Sequence, residues 1–118
     1  MDIRERTFEF SLLIIELYKF LISKKEFVMS KQLLKAGTSI GANVEEAQAG
    51  QSKKDFIAKM AISSKESRET NYWLRLLDRS GYLKGFKKRE LIMIEIKDII
   101  NILTRIIKTS MKNSKLST

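Results

Sequence analysis

Two glycines four residues apart set the first constraint on this chain. Gly37 and Gly41 lie in a stretch where Leu33, Gly37, Ile40, Val44 and Ala47 recur at helical spacing on one side. On a helix they stand one above the other, and each costs a helix interior about 1 kcal/mol relative to alanine. Such a pair is offset where another helix comes close, because no Cβ separates the two backbones. The stretch from Ser39 to Glu46 therefore reads as the middle of a central helix packed tightly on its neighbours.

The surrounding sequence has the same period. There is no proline among the 118 residues, which favours long uninterrupted helices. The length suits one domain with a core of its own. A first helix is expected over about 3–23. Phe10, Leu13, Ile14, Leu17, Phe20 and Leu21 give it one apolar stripe, and Phe8, Leu12, Ile15 and Ile22 give it a second on another side. A helix apolar around most of its circumference is buried on more than one face, so the second stripe predicts self-association.

A second helix is expected over about 30–49, with Ser30 as N-cap and Gly50 in the left-handed position that ends many helices. Ser52 and Asp55 resemble a capping box opening a third helix over 53–79, with Gly81 as its stop. The third pattern is split: Phe56, Ile57, Met60 and Ala61 face one way, and Trp73, Leu74 and Leu77 are rotated from them. Ser64, Ser67 and Asn71 fall near the first face. A fourth helix over about 86–108 carries Ile92, Ile96, Ile99, Ile100, Leu103, Ile106 and Ile107 at heptad-like spacing. Tyr82 and Leu83 are expected over the preceding turn, and residues 109–118 as a frayed basic tail. The expected fold is all-α, a single domain over 1–118 forming an antiparallel up-down four-helix bundle.

Composition narrows the chemistry. The chain has neither cysteine nor histidine, which removes disulfides, thiolate chemistry, zinc–sulfur sites and the commonest general base. Acid–base work falls to carboxylates, lysine or tyrosine. Glu45, Glu46, Glu66 and Glu69 are the candidates, but glutamates on helix surfaces are ordinarily solvated or paired with lysine. No phosphate-cradling glycine loop or serine elbow is present. The chain reads as a non-enzyme needing no cofactor and no metal. No apolar run reaches 18 residues and the first residues lack the order of a signal peptide, so a cytoplasmic protein that does not cross the membrane is expected.

Ser39, Asn43 and Glu46 project along adjoining turns of the second helix, with Ser64 and Asn71 available from the third. A buried hydrogen-bond network fixing helix register is the expected role.

The net charge of +9 is unevenly placed. Residues 1–51 carry seven basic and seven acidic groups, whereas residues 52–118 carry sixteen basic against seven acidic. Arg68, Arg75 and Arg79 lie near one face of the third helix with Tyr72 close by. Lys84, Lys87, Lys88 and Arg89 cluster before the fourth, and Lys108, Lys112 and Lys115 line the tail. Cations with an aromatic able to stack form a set compatible with nucleic acid. No recognised DNA- or RNA-reading motif accompanies them, so binding is expected to follow shape and backbone rather than base edges.

The run Ser39-Ile40-Gly41-Ala42-Asn43-Val44-Glu45-Glu46 followed by Ser52-Lys53-Lys54-Asp55-Phe56 resembles the four helix bundle protein family. Its members are encoded in intervening sequences of bacterial 23S rRNA genes and elsewhere in bacterial genomes. Lys65-Glu66-Ser67-Arg68-Glu69-Thr70-Asn71-Tyr72-Trp73-Leu74 through Gly81-Tyr82-Leu83 matches one branch closely, and the resemblance extends from about Phe8 to Lys108. It implies a ring assembly, typically a homopentamer, and no catalytic residues. Related accessory proteins of diversity-generating retroelements look like basic barrels that bind nucleic acid and a reverse transcriptase. Ser39, Asn43, Glu46 and Glu69 fill recurrent family positions and read as structural.

The leading expectation is a homo-oligomeric protein binding RNA or DNA through phosphate contacts. The alternative is a protein-interaction scaffold docking a partner such as a reverse transcriptase, with Tyr72 and Trp73 exposed for the purpose. Membrane-surface binding is disfavoured, because the basic tail offers only Met111 and Leu116 as apolar anchors.

Overall fold

The computed structural model describes the backbone of residues 1–116 and side chains through Asn113. Four helices occupy nearly all of it: α1 Ile3–Ser23, α2 Met29–Gln48, α3 Lys53–Arg79 and α4 Arg89–Leu116. Each packs on its neighbours in sequence, and α1 and α4 close the fourth side more sparsely. Short connections reverse the chain three times, giving an antiparallel up-down bundle measuring 53 × 23 × 20 Å.

The glycine pair is the close approach that its spacing predicts. A Cβ built on Gly37 would stand 2.7 Å from Ile14 Cγ1 and 2.9 Å from both Cγ2 and Cδ1. One on Gly41 would stand 3.1 Å from the backbone oxygen of Thr7. Here α1 lies directly on the backbone of α2. The apolar core runs through Phe10, Ile14, Leu17 and Leu21 of α1, Leu33, Ile40 and Val44 of α2, Met60, Leu74 and Leu77 of α3, and Ile92, Ile96, Ile99 and Leu103 of α4.

The connections show why the helices stop where they do. Asp2 caps α1 by accepting from Glu5 N at 2.9 Å. At its end Lys25 adopts a left-handed φ of 64°. Lys25 N then donates to Ile22 O and Glu26 N to Leu21 O, the paired bonds of a Schellman ending. The turn throws Glu26 under the start of α2, where its carboxylate accepts from Val28 N at 3.1 Å, Met29 N at 3.2 Å and Ser30 N at 2.6 Å. Glu26 is therefore the cap, not Ser30. Ser30 already lies inside the first turn and is one of the donors in need of a partner, and its own hydroxyl donates to Glu26 O.

Gly50 is not left-handed; the glycines with positive φ are Gly81 and Gly85. Ser52 caps α3 as expected, accepting from Asp55 N at 3.1 Å. Gly81 ends α3 in a second Schellman pairing, with Gly81 N donating to Asp78 O and Tyr82 N to Leu77 O.

The split pattern of α3 resolves differently from its sequence reading. Its buried row is Met60, Ser63, Ser67, Thr70, Leu74 and Leu77, while Phe56 and Ile57 are half-buried and Ala61 is exposed. The mid-helix hydroxyls cost little because each is bonded. Ser63 Oγ donates across to Ile40 O of α2 at 2.9 Å, Ser67 Oγ to Ser64 O and Thr70 Oγ1 to Glu66 O.

The α3–α4 connection folds into the end of the bundle. Left-handed Gly85 turns the chain so that Leu83 and Phe86 are buried, and the Phe86 ring meets Phe20 at 5.4 Å between centroids. Phe86 is thus part of the connection, and α4 begins at Arg89 rather than near 86. At the other end α4 continues to Leu116, so residues 109–116 are helical rather than frayed. Ser117 and Thr118, and the side chains of Lys115 and Leu116, lie outside the described residues.

Candidate nucleic-acid interface

Helical geometry aligns Arg68, Tyr72, Arg75 and Arg79 along one face of α3. On α4 the same rule aligns Lys97, Asn101, Thr104 and Lys108. The antiparallel packing brings the two rows together. Arg68 Nη2 donates to Thr104 Oγ1 at 3.3 Å across the seam, and Thr104 Oγ1 donates to Ile100 O at 2.8 Å. Between the rows lies a cleft of about 480 Å³ lined by Arg68, Asn71 and Arg75 from α3 and by Lys97, Ile100 and Asn101 from α4. Arg68, Arg75 and Lys97 are exposed, and Ile100 is half-buried against the core. Asn71 Oδ1 is buried with no hydrogen-bond partner among the described residues.

Of the seven basic residues singled out between Arg68 and Arg89, five keep their charge open. Arg68, Arg75, Arg79, Lys84 and Lys87 make no ion pair with a carboxylate among the described residues. Arg79 ends α3, and Lys84 and Lys87 stand exposed on the connection beyond it. The other two are already engaged. Lys88 Nζ pairs with Glu16 at 3.0 Å. Arg89 holds Asp78 in a bidentate pair of 2.6 and 2.9 Å. Hydrogen bonding to Arg89 holds the Asp78 carboxyl below the usual carboxylate range against a smaller opposing effect of burial, with the charges of Arg89 and Arg79 acting in the same direction as the bond. The same bond raises the Arg89 guanidinium. These two pairings fasten the connection and engage the charges of Lys88 and Arg89.

Lys97 and Asn101 belong to the cleft but were not among the sequence candidates. Their signal is the polar row Lys97, Asn101, Thr104 and Lys108 on α4. The row is visible from the helical period, but only packing shows that it faces Arg68 and Arg75.

The expected linkage of Ser39, Asn43 and Glu46 to Ser64 and Asn71 does not form among the described residues, and Glu69, also expected to be structural, bonds within α3. Ser39 Oγ donates to Lys35 O and Asn43 Nδ2 to Ser39 O, both within α2. Glu46 pairs with Lys59 at 3.0 Å on the surface, and Glu69 accepts from Trp73 Nε1 at 3.2 Å. The buried polar link between these helices is Ser63 to Ile40, since a serine fits a close helix contact where longer polar side chains turn outward. Among the described residues no group of acidic side chains is placed to hold a metal ion, and no helix is long and apolar enough to cross a membrane.

Together these features define an all-α four-helix bundle with a cationic cleft along one helix seam. The chain belongs to the 23S rRNA-intervening sequence protein family, whose model matches residues 1–105. Its fold is similar to the crystal structure of a protein of unknown function from the S23 ribosomal protein family of Bacteroides thetaiotaomicron. The two are 47% identical with a TM-score of 0.86, over 91% of this chain and 99% of that one. Comparison with curated proteins found no match.

Proposed function

We propose that this chain is a non-enzymatic, homo-oligomeric protein that binds RNA or DNA through phosphate contacts. The observation that carries the reading is the open cationic row of Arg68, Arg75, Arg79 and Lys97 on the α3–α4 side, beyond which Lys88 and Arg89 are paired with carboxylates. Unpaired arginines at such spacing neutralise successive phosphates and release counterions.

Self-association is supported by an apolar surface that a single chain leaves uncovered. Phe8, Leu12 and Ile15 of α1 are exposed along one face, as are Leu91 and Ile94 of α4. Leu12 and Leu91 line the same cleft between these helices. A second copy covers such a face, and a ring, with five subunits implied by the family resemblance, repeats the cationic cleft and adds avidity.

The test is binding of labelled RNA and DNA across a salt series. Affinity should fall steeply with salt, and replacing Arg75 and Arg79 together by glutamate should flatten the slope while the oligomer stays intact. Absence of binding at low salt overturns the reading. It would favour partner docking instead, for which Tyr72, half exposed and edge-on to Trp73 at 5.2 Å, is the anchor. In that case Tyr72→Ala should abolish capture of the partner.

A further inference from the structure

The α3–α4 cleft holds more than a phosphate contact needs. Backbone binding to a duplex requires cations on a surface, and Arg79, Lys84 and Lys87 supply those elsewhere. Here Arg68, Arg75 and Lys97 rim a recess whose walls also include two side-chain amides, Asn71 and Asn101, and the apolar Ile100. Tyr72 stands exposed on the same α3 face as the arginines. We infer that this cleft receives a single-stranded stretch of nucleic acid, with a nucleobase in the recess and its flanking phosphates on Arg68, Arg75 and Lys97. The inference rests on the nucleic-acid reading above and assigns that site its substrate class.

Three observations carry it. The first is size. Packed helix axes lie about 8–10 Å apart, so the recess between them is narrower than a duplex, whereas about 480 Å³ suits a ligand of nucleotide dimensions. The second is the chemistry of the walls. Side-chain amides carry a donor and an acceptor side by side and match the edge of an unpaired base. Ile100 offers an apolar surface to its face, and a neighbouring tyrosine can stack on the next base. In a duplex those base faces are stacked inside the helix and out of reach.

The third is Asn71. Its carbonyl oxygen is buried and, among the described residues, no protein group donates to it, a state unfavourable for a polar group. A phosphate cannot relieve it, because phosphate oxygens only accept. A base N–H can, where the side chain shifts to bring that oxygen to the recess.

The experiment is fluorescence anisotropy on the full chain at one fixed salt concentration, with four probes of equal phosphate number. These are single-stranded RNA, single-stranded DNA, an abasic single strand and a duplex. The base-bearing single strands should bind about tenfold tighter than the abasic strand and the duplex, in keeping with the energy of base contacts. Asn71→Ala and, separately, the exposed Asn101→Ala should erase most of that preference with the salt slope unchanged. Arg68→Gln with Lys97→Gln should instead lower the slope for every probe. Equal binding of base-bearing and abasic strands, or of duplex and single strand, overturns the single-strand inference and leaves phosphate binding standing. No binding of any probe overturns both. The probe comparison uses the unaltered protein, so it decides the matter even if Asn71→Ala fails to fold.

Discussion

Arg89, the first residue of α4, grips the Asp78 carboxylate near the end of α3 through two parallel hydrogen bonds of 2.6 and 2.9 Å. The pair ties the two helix ends together across the connection that carries Leu83 and Phe86 into the core. Because the Asp78 carboxyl is held below its ordinary range, its contribution to stability is fully present above the unfolded carboxylate range and is lost as pH falls through the depressed folded value. Asp78→Asn should therefore lower stability at neutral pH, and the gap from the unaltered chain should close in acid. Urea unfolding at neutral and acid pH measures both. A gap that stays constant with pH would show that the bond geometry matters and the charge does not.

Gly37→Ala should destabilise the bundle despite alanine's better helix propensity. The added methyl would meet Ile14, fully buried, whose two γ-carbons branch from one Cβ and cannot both swing aside. Overpacking of this kind costs about 1–3 kcal/mol, against a propensity gain of about 1 kcal/mol. Combining Gly37→Ala with Ile14→Ala should cost less than the sum of the two single changes, because the second removes the atoms that the first strikes. Strict additivity would contradict the close contact.

Glu26→Ala should cost about 2 kcal/mol, since a largely buried carboxylate accepts three backbone N–H bonds at the start of α2. Glu26→Gln should keep part of this through its remaining carbonyl oxygen. Amide hydrogen exchange of Val28, Met29 and Ser30 gives the local readout, and it should accelerate in both variants, more in the alanine. Ser30→Ala, by contrast, removes only the hydroxyl bond back to Glu26 O and should leave those amides protected.

Leu12→Glu and Ile15→Glu should dissociate the proposed oligomer and leave the helices folded. Both side chains are largely exposed in the single chain, at 48% and 36%, so neither substitution opens a cavity. Circular dichroism checks the fold, and sedimentation reports the mass. An unchanged mass in the double variant would remove α1 from the subunit interface.

The four helices and the presence of a close neighbour against the second could be read from the sequence because each depends on local spacing. Gly37 and Gly41 announce a close neighbour, and Ser52 and Gly81 sit where a start and a stop require them. What escaped depends on partners far along the chain or on an unusual backbone turn. Glu26 becomes a cap only because Lys25, which is not a glycine, takes a left-handed φ that no residue pattern announces. Lys88 reads as a free cation until packing places Glu16, 72 positions away, beside it. The cleft was half legible. Arg68 and Arg75 show their shared face, but the register that sets Lys97 and Asn101 opposite them is fixed by how α3 and α4 slide past one another.

The up-down order of the helices also bears on how the molecule comes into being. Nearly all of its helix packing joins segments adjacent along the polypeptide, and only the sparse α1–α4 side requires the chain's two ends to find each other. Wiring of this kind keeps the entropy of loop closure small and belongs to rapidly folding topologies. Each hairpin can zip independently as it emerges from synthesis, with the terminal helices the last to meet. This wiring therefore favours rapid folding of the single chain.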